Sequence, residues 1–417
     1  MIITDVKTTL VKVPYGRPPG FRPSWLPGVI QESYSFTIVQ IFTDEGITGI
    51  AGTTCFGDEA KVFVDREIRP ILLNKELEST SGIEGIWGEI RSKADGKPMI
   101  SMLLSGAGEG NTIDWGGIVK SVLRSPWNTL SLFSSKNILL EDRPWFVNVA
   151  LWDLIGKKEN RPVCDLIGRK KDKIKVYAST GEIVSSKTVE FAMKCLDEGF
   201  KTIKLRAHHA DPDKDLDVIK KVKDAVGGEM EIGVDANQAW TVLPPFWSRK
   251  RALEVAKSLD RMGIAWFEEP VGGKDFKMIA EIADAVEMPI MGGELQHGIE
   301  TLEKLLDAYD IVNPDISMSC GISDGIKIAE MARKRDKLFT PHAWQLGPGI
   351  AANLQVACVL ENCPMLEYPY DPNWSVEQRD LLLEESLIVE NGYLEVPKKP
   401  GLGVEINESI IEKYTVV

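Results

Sequence analysis

The chain has 417 residues, of which 43% are hydrophobic and 27% are charged, as in a soluble globular protein. This length predicts two domains, or one large barrel with an appendage. The formal net charge of −13, without a stripe of Lys and Arg among aromatic residues, argues against a nucleic-acid partner. Six cysteines without a Cys-x-x-Cys pair, no signal peptide and no apolar run of membrane-spanning length predict a cytoplasmic protein with reduced thiols and no membrane partner.

The first 172 residues have the mixed pattern of an α+β domain. Strand-like segments at 2–13 and 34–43 flank a loop rich in Pro, Gly and Arg, with the sequence YGRPPGFRPSWLPG. The stretch DEGITGIAG then predicts a hairpin, and helical segments follow as far as VNVALWDLIGKK. This region therefore differs in organisation from the rest of the chain.

From Lys175 onward, short β-rich runs alternate with amphipathic segments of helical spacing. The eight runs are VYAST (176–180), TIKLR (202–206), IGVDAN (232–237), WFEEP (266–270), PIMGGE (289–294), DIVNPD (310–315), FTPHA (339–343) and MLEYP (365–369). Eight such units predict an α/β fold of the (β/α)₈ type, a TIM barrel. A doubly wound open sheet is the alternative, but the count of eight and the lack of Gly-x-Gly-x-x-Gly in the first βα turn favour the barrel.

Three acidic residues fall at the ends of three successive predicted strands. They are Asp235, Glu268 and Glu294, and the carboxyl ends of barrel strands share one rim. A hard divalent cation would remove their mutual repulsion, and all-oxygen ligation suits Mg²⁺. A salt-bridged strand end is the simpler interpretation of any one of them, whereas three at equal depth favour a metal site. Glu268 and Glu269 compete for the inward position, because strand alternation sends only one of them inward.

The seventh predicted strand carries His342, and the sixth ends at Asp315 at matching depth. A carboxylate bonded to an imidazole fixes its tautomer and raises its basicity, so the pair predicts a general base. Glu367, on the eighth strand, would donate a hydrogen bond to a bound anion, or accept one from it, if the pKa of the carboxyl is raised. The alternatives are a structural histidine and an ordinary polar residue at the rim.

Lys204 and Arg206 are two residues apart in the second predicted strand and should share a face. Their simplest role is charge compensation for the acidic rim. A substrate carboxylate held between Mg²⁺ and Lys204 would have a more acidic α-proton, because both cations stabilise the enediolate. An arginine side chain, with a pKa above about 12, is a poor proton acceptor. Arg206 is therefore predicted to act as an electrostatic clamp or as a ligand of substrate hydroxyls.

Taken together, these residues resemble those of the enolase superfamily, and within it the mandelate racemase group. DEGITGIAG is similar to the hairpin of that family's capping domain, and ALWDLIGKKENRPVCDLIGRKKDKIKVYAS to the helix leading into its barrel. The motifs VDANQAW, FEEP, GGE, NPD, PH and LEYP follow in the family's order, and GYLEVPKKPGLGVEI resembles its closing segment. The resemblance implies an α+β capping domain at 1–172, a modified barrel at 173–370 and a C-terminal segment, 371–417, that returns to the capping domain.

The family pattern also implies roles for individual residues. The ligands of one Mg²⁺ per active site would be Asp235, Glu268 (the first Glu of Glu-Glu-Pro) and Glu294. The other matched positions are the dyad of His342 with Asp315, the hydrogen-bonding carboxyl Glu367 and, beside the metal, Asn237.

The chain departs from the family at the second strand. The group's usual motif there is Lys-x-Lys, whose second lysine is a base on the face opposite the histidine, whereas this chain has Lys204-Leu205-Arg206. His342 is then the clear source of a base. A single base suits β-elimination, since the imidazole takes the α-proton and, as imidazolium, protonates the departing 3-hydroxyl. The resemblance implies a lyase of carbohydrate catabolism that dehydrates an aldonic or aldaric acid, through a metal-stabilised enediolate, to a 2-keto-3-deoxy acid.

Two other classes of function stay open. A racemase, epimerase or cycloisomerase would use Arg206 or another group on the opposite face. A catalytically silent sugar-acid-binding protein would need no base paired to Asp315, so the intact dyad and ligand set favour a catalyst. A homo-oligomer is expected, because members of the family are commonly dimers or larger.

A loop of the capping domain covers the substrate in the family. Here it supplies Arg17, Phe21, Arg22 and Trp25. Arginines in such a loop would suit a polyhydroxy acid, or a diacid with a second carboxylate. A solvated charged loop is the alternative of equal weight.

Two histidines are further candidates for substrate binding. His208 lies just past strand two, and continued alternation would bring it to the inward face, near the distal hydroxyls. His297 lies three residues past Glu294. An exposed loop histidine is the alternative for both.

Overall fold

A computed structural model describes residues 1–16, 20–54, 57–94, 111–113, 145–240 and 244–416, with 57–59, 93–94 and 111–113 described by their backbone alone. Arg17 lies outside these ranges. Among the helices of the described ranges, none is long and apolar enough to cross a membrane.

An antiparallel sheet opens the chain, in the order β1-β3-β4. Its strands, with the short pair β2 and β5, are β1 (Ile3–Pro14), β2 (Val29–Gln31), β3 (Ser33–Thr43), β4 (Thr48–Thr53) and β5 (Asn111–Ile113). The predicted hairpin joins β3 to β4, where the Thr43 hydroxyl donates to the Ile47 carbonyl at 2.8 Å. The helical elements of this region are α1 (Gly57–Phe63), a π-helical turn (Val64–Ile68), α2 (Arg69–Leu72), α3 (Thr80–Ala94), α4 (Trp145–Lys158) and α5 (Val163–Ile167).

Eight parallel strands follow. They are β6 (Lys173–Ile183), β7 (Thr202–Arg206), β8 (Glu231–Asp235), β9 (Trp266–Glu268), β10 (Ile290–Gly292), β11 (Ile311–Val312), β12 (Leu338–Phe339) and β13 (Leu366–Pro369). Each strand from β6 to β11 pairs in parallel with the next, and β13 pairs back onto β6. Because the last strand joins the first, the sheet has the order of a barrel, which confirms the predicted fold class over the open sheet.

Helices connect the barrel strands. They are α6 (Thr188–Asp197), α7 (Pro212–Val226), α8 (Arg249–Arg261), α9 (Phe276–Ala283), α10 (Ile299–Leu305), a π-helical turn (Ile316–Cys320), α11 (Gly321–Lys334) and α12 (Gly347–Ala357). A side-chain cap begins some of them: Asp211 accepts a hydrogen bond from the Asp213 amide at the start of α7, with Pro212 at the first helical position. Ile219, Val222 and Val226 then lie buried at helical spacing.

The C-terminal residues run back along both parts of the molecule. Their elements are α13 (Val376–Arg379), β14 (Val389–Glu390), β15 (Tyr393–Glu395) and α14 (Glu408–Tyr414). Strand β15 pairs antiparallel with β6, and the Val416 amide donates to the Leu10 carbonyl at 2.9 Å. The domain limits themselves, 1–172, 173–370 and 371–417, stay a prediction.

The register of the barrel strands positions the polar residues at their ends. Arg206 lies beside Asp235 in the β7–β8 pair, and Asp235 lies beside Glu268 in the β8–β9 pair. In a parallel barrel, side chains at matching heights on neighbouring strands form a layer. These three residues therefore end their strands at one level, where the site is built.

Candidate active site

Three buried carboxylates meet where strands β8, β9 and β10 end. Asp235 and Glu268 are the last residues of their strands, Glu294 follows β10 by two residues, and one oxygen atom of each lies within 4.8 Å of the others. Glu268, and not Glu269, joins this cluster. Glu269 is also buried, and its φ of +48° lies in the left-handed region, outside the extended backbone of the strand.

The electrostatics of the cluster fit a cation. Burial and the neighbouring carboxylates raise the pKa of Glu268 to about 7, although the positive charge of Lys204 lowers it. The Oε2 atom of Glu294 is buried without a hydrogen bond from any residue of the described ranges. An oxygen-only donor set with a buried, unsatisfied oxygen suits a hard divalent cation such as Mg²⁺.

Lys204 lies between two of the carboxyl groups. Its Nζ atom is 2.9 Å from Glu268 Oε1, 2.8 Å from Glu367 Oε1 and 3.6 Å from Asp235 Oδ2. Burial alone would lower the pKa of Lys204, but these three anions outweigh it and hold the pKa above its usual value. Lys204 is therefore an ammonium ion that donates hydrogen bonds.

Arg206 is held by the protein on every side. Its Nε atom donates to the Thr180 carbonyl at 2.6 Å, Nη2 to the Ser179 hydroxyl at 3.2 Å, and Nη1 to Asp235 Oδ2. Two indole rings lie over its guanidinium, with the centroids of Trp25 and Trp344 at 5.6 and 5.4 Å from Cζ. The acidic neighbours hold the pKa of Arg206 above its usual value despite burial. The side chain is thus a clamp on Asp235 and does not accept protons.

His342 and Asp315 form the predicted pair. The Nδ1 atom of His342 lies 3.1 Å from Asp315 Oδ2, and its Nε2 atom lies 3.4 Å from Glu294 Oε2. The other oxygen of Asp315 accepts from the Gln345 side chain at 2.6 Å and from the Ser317 amide at 2.8 Å. Burial opposes protonation of His342, but the negative charges of Glu294, Glu367 and Asp315 outweigh it and raise its pKa to about 9.

Glu367 lies between the lysine and the histidine. Its Oε1 accepts from the Ser179 hydroxyl and its Oε2 from the Ala343 amide, both at 2.7 Å. Burial raises the pKa of this carboxyl, but Lys204, His342 and Arg206 outweigh it, so the pKa lies well below its usual value. The raised pKa under which Glu367 would donate a hydrogen bond is therefore not found. Glu367 is an ionised acceptor.

The other predicted contacts divide into two groups. Asn237 lies beside the metal cluster, since its amide N–H donates to Asp235 Oδ1 at 2.7 Å and its Nδ2 to Oδ2 at 3.1 Å. Trp25 lies over Arg206, as described above. Arg22 is exposed, and its backbone N–H donates to Glu182 Oε1 at 3.2 Å.

His208 is buried next to the third strand of the barrel. Its Nδ1 lies 2.5 Å from the Ala236 carbonyl, and its Nε2 makes no hydrogen bond within the described ranges. Burial lowers its pKa to about 4, so the ring is neutral at pH 7. His297 is also buried, and its Nδ1 accepts from the Trp145 indole at 3.2 Å. That contact places His297 against helix α4.

Several residues of the site were not predicted. Trp240 Nε1 donates to Glu294 Oε1 at 2.6 Å, and Asn313 Nδ2 donates to Glu268 Oε1 at 2.9 Å. Both lie within motifs that the sequence analysis quoted, VDANQAW and NPD, so their position beside the metal motifs was the available signal. Ser24, which donates to Asn237 Oδ1 at 2.6 Å, and Gln345 carry no such signal.

The fold and the site define an α/β barrel whose strand ends bring together a carboxylate cluster, a buried lysine and a His–Asp pair. The chain belongs to the enolase superfamily: residues 187–410 match the family described as "Enolase C-terminal domain-like". The predicted family is therefore confirmed.

Named relatives agree with this assignment. The chain is 28% identical over 400 residues to arabinonate dehydratase of Saccharolobus solfataricus, covering 93% of both chains. It is 31% identical over 283 residues to D-galactarolactone cycloisomerase of Agrobacterium fabrum, covering 64% of this chain and 72% of the relative. A racemase from Streptomyces coelicolor A3(2), solved with bound magnesium, has the same fold, with a TM-score of 0.77, full coverage of both chains and 22% identity. The dehydratase and the cycloisomerase confirm the prediction of a lyase with an isomerase as alternative.

Proposed function

We propose that the protein is a Mg²⁺-dependent dehydratase that converts an aldonic or aldaric acid into a 2-keto-3-deoxy acid. The observation that carries the proposal is the one-sided supply of a base. His342 directs Nε2 at the carboxylate cluster, whereas the residue in place of the family's second lysine, Arg206, has its guanidinium nitrogens bonded to protein groups. Elimination needs a base on one face only, whereas racemisation needs a base on each face.

The acid group of the substrate would be bound between Lys204 and a Mg²⁺ ion held by the three carboxylates. Asp235, Glu268 and Glu294 would hold Mg²⁺, which would supply a Lewis acid to stabilise negative charge on the substrate carboxylate. Lys204 adds an ammonium group to the same region. This side chain is fully buried, and its contacts with Glu268 and Glu367 orient it. A positive group oriented before the reaction lowers the barrier most where charge develops, at the enediolate.

His342 moves the proton. Asp315 accepts from Nδ1, so Nε2 is the nitrogen that would take up and release the substrate proton. Nε2 takes the proton from C2, and the resulting imidazolium gives it to the hydroxyl leaving C3. The C2–H and C3–O bonds break, a C2–C3 double bond forms, and the enol product becomes the 2-keto acid when C3 is protonated. Water is the second product, so no oxidant is needed.

Glu367 and Asp315 surround the histidine with negative charge. Glu367 Oε2 lies 3.7 Å from His342 Nε2 and stays ionised. An anion at this distance stabilises the imidazolium that forms when the α-proton is removed. The pair therefore supports both halves of the elimination, removal of the proton and its return.

The comparison with relatives supports dehydration over the alternatives. The arabinonate dehydratase aligns along almost the whole chain, whereas the cycloisomerase aligns over about two thirds of it. Cycloisomerisation is the second candidate, favoured by the higher identity of that relative. We propose that Trp25 and His208 contact the distal part of the sugar, with Arg17, Arg22 and His297 as further candidates.

A product assay tests the proposal. The protein is incubated with Mg²⁺ and a library of aldonic and aldaric acids and their lactones, and 2-keto acids are measured. We expect a 2-keto-3-deoxy acid from at least one free acid, and its loss when a chelator replaces Mg²⁺. An isomer or an opened lactone without any 2-keto acid would support the cycloisomerase instead.

A further inference from the structure

The capping segment, defined as residues 20–31, docks directly on the end of the first barrel strand. The Ser24 amide donates to the Gly181 carbonyl at 2.9 Å. Gly181 permits this approach, because a Cβ there would lie 2.3 Å from the ring of Phe21 and 2.6 Å from that of Trp344. Ser24 is fully buried at this contact.

A chain of hydrogen bonds runs from the capping segment to a metal ligand. The Ser24 hydroxyl donates to Asn237 Oδ1 at 2.6 Å. With the amide oxygen held there, the Asn237 NH₂ group faces Asp235 and donates to Oδ2 at 3.1 Å, while its backbone N–H donates to Oδ1 at 2.7 Å. Asn237 reaches both partners because its φ is +46°. Ser24 therefore fixes the orientation of the amide that fixes Asp235.

A second route leads from the same segment to the same carboxylate. Trp25 follows Ser24, and its ring lies over the guanidinium of Arg206, which in turn donates to Asp235 Oδ2. Removing the capping segment from the barrel would break both routes at once. Asp235, a predicted metal ligand, is thus connected to the capping segment through both Asn237 and Arg206.

We propose that Ser24 is a positioning residue for Asp235, so that Mg²⁺ affinity depends on the docking of the capping segment on the barrel. The reason is that groups bonded to a metal ligand orient it and tune its affinity for the metal. Thermodynamic linkage makes the effect reciprocal, so bound Mg²⁺ also stabilises the docking of the capping segment on the barrel. The inference rests on the proposed magnesium site and adds to it a control by the capping region.

Calorimetric titration of the substrate-free, full-length protein with Mg²⁺ tests the first half. Ser24→Ala removes one oxygen atom, and we expect the dissociation constant for Mg²⁺ to rise about tenfold. The matched control is Ser79→Ala, an exposed serine of the same region whose hydroxyl lies 2.8 Å from that of Ser81; its affinity should equal that of the wild type. Equal affinities for all three proteins would overturn the inference while leaving the metal site intact.

Amide hydrogen exchange of the wild-type protein tests the second half and needs no variant to fold. We expect Mg²⁺ to slow exchange in peptides covering residues 20–31 and not in those covering helix α8, which lies outside both routes. Exchange in the capping segment that Mg²⁺ leaves unchanged would overturn the inference. A wild-type protein that binds no Mg²⁺ would overturn the metal site and this inference together, whatever its dehydratase activity.

Discussion

The Nδ1 atom of His342 lies 3.1 Å from Oδ2 of Asp315, in a buried pair whose other imidazole nitrogen faces the carboxylate cluster. Asp315 is itself fixed, since its second oxygen accepts hydrogen bonds from Gln345 and Ser317. The carboxylate therefore fixes the orientation of the imidazole ring. Nδ1 is bound to Asp315, and Nε2 faces Glu294 and Glu367 at 3.4 and 3.7 Å.

Asp315→Asn tests that relationship. An amide at this position donates as well as accepts, so it can stabilise the tautomer with the proton on Nε2, which cannot take up the α-proton. We expect kcat for dehydration to fall roughly 10²- to 10⁴-fold. This is the usual size of a general-base effect, and replacing the aspartate that orients a catalytic histidine by asparagine has an effect of this size in serine proteases. Mg²⁺ affinity should stay within a few-fold, because Asp315 is outside the ligand cluster. Loss of metal binding in step with activity would contradict the assigned role.

Glu268→Gln and Glu269→Gln form a matched pair for the metal site. Both side chains are buried and adjacent, but only Glu268 belongs to the cluster. Burial and nearby carboxylates raise the pKa of Glu269 well above its usual value, so a neutral Gln mimics its protonated form. We expect titration calorimetry to show Mg²⁺ affinity about a hundredfold or more lower in Glu268→Gln, and near the wild-type value in Glu269→Gln. The reverse order would move the ligand to Glu269.

Arg206→Lys restores the family's Lys-x-Lys motif and tests whether position 206 can serve the second face. One ammonium cannot replace donors to Thr180, Ser179 and Asp235 at once, so about 1–3 kcal/mol of stability should be lost. We expect a lower thermal midpoint, reduced dehydration and no racemisation. Arg249→Lys is the control, because that arginine pairs with Glu281 at the exposed surface and should tolerate the change. Racemised substrate from Arg206→Lys would show that the arginine alone separates the two activities.

His208 should make the fold sensitive to acid. Its pKa is about 4 in the folded protein, against 6.5 for an ordinary histidine, because burial disfavours the cation. Between these values the unfolded chain binds a proton that the folded chain does not, so stability falls as the pH drops, by about 3 kcal/mol in full. The thermal midpoint should therefore fall more from pH 7 to pH 5 in the wild type than in His208→Gln. An equal fall of the thermal midpoint in both proteins would show that a group other than His208 causes the acid sensitivity.

Much of the site follows from strand periodicity. Lys204 and Arg206 share a face, and Asp235, Glu268 and Glu294 meet, because each pattern depends only on alternation within a strand and on parallel strand ends. The same rule allows only one of Glu268 and Glu269 to face the cluster, and Glu268 alone belongs to it, although a positive φ ends the extended backbone at Glu269. Local patterns do not reveal a single left-handed residue in a non-glycine position.

The contacts that tie the site together could not be predicted. Ser24 and Asn237 are 213 residues apart, and neither residue carries a motif that pairs them. The charge state of Glu367 was equally hidden, because it depends on three cations that only barrel closure brings around it. Strand periodicity predicts which residues face a common space. The charge state of each residue depends on its distances to the others in the folded protein.

The exchange of the substrate α-proton in D₂O tests the central claim, that a single base acts from the His342 face. The wild type, loaded with Mg²⁺ and an acid sugar that it dehydrates, is compared with His342→Asn by proton NMR at C2. We predict that the variant loses both dehydration and any deuterium uptake at C2, while its Mg²⁺ affinity is retained. Deuterium that still enters C2 of recovered substrate in His342→Asn would reveal a base on the opposite face and contradict the account.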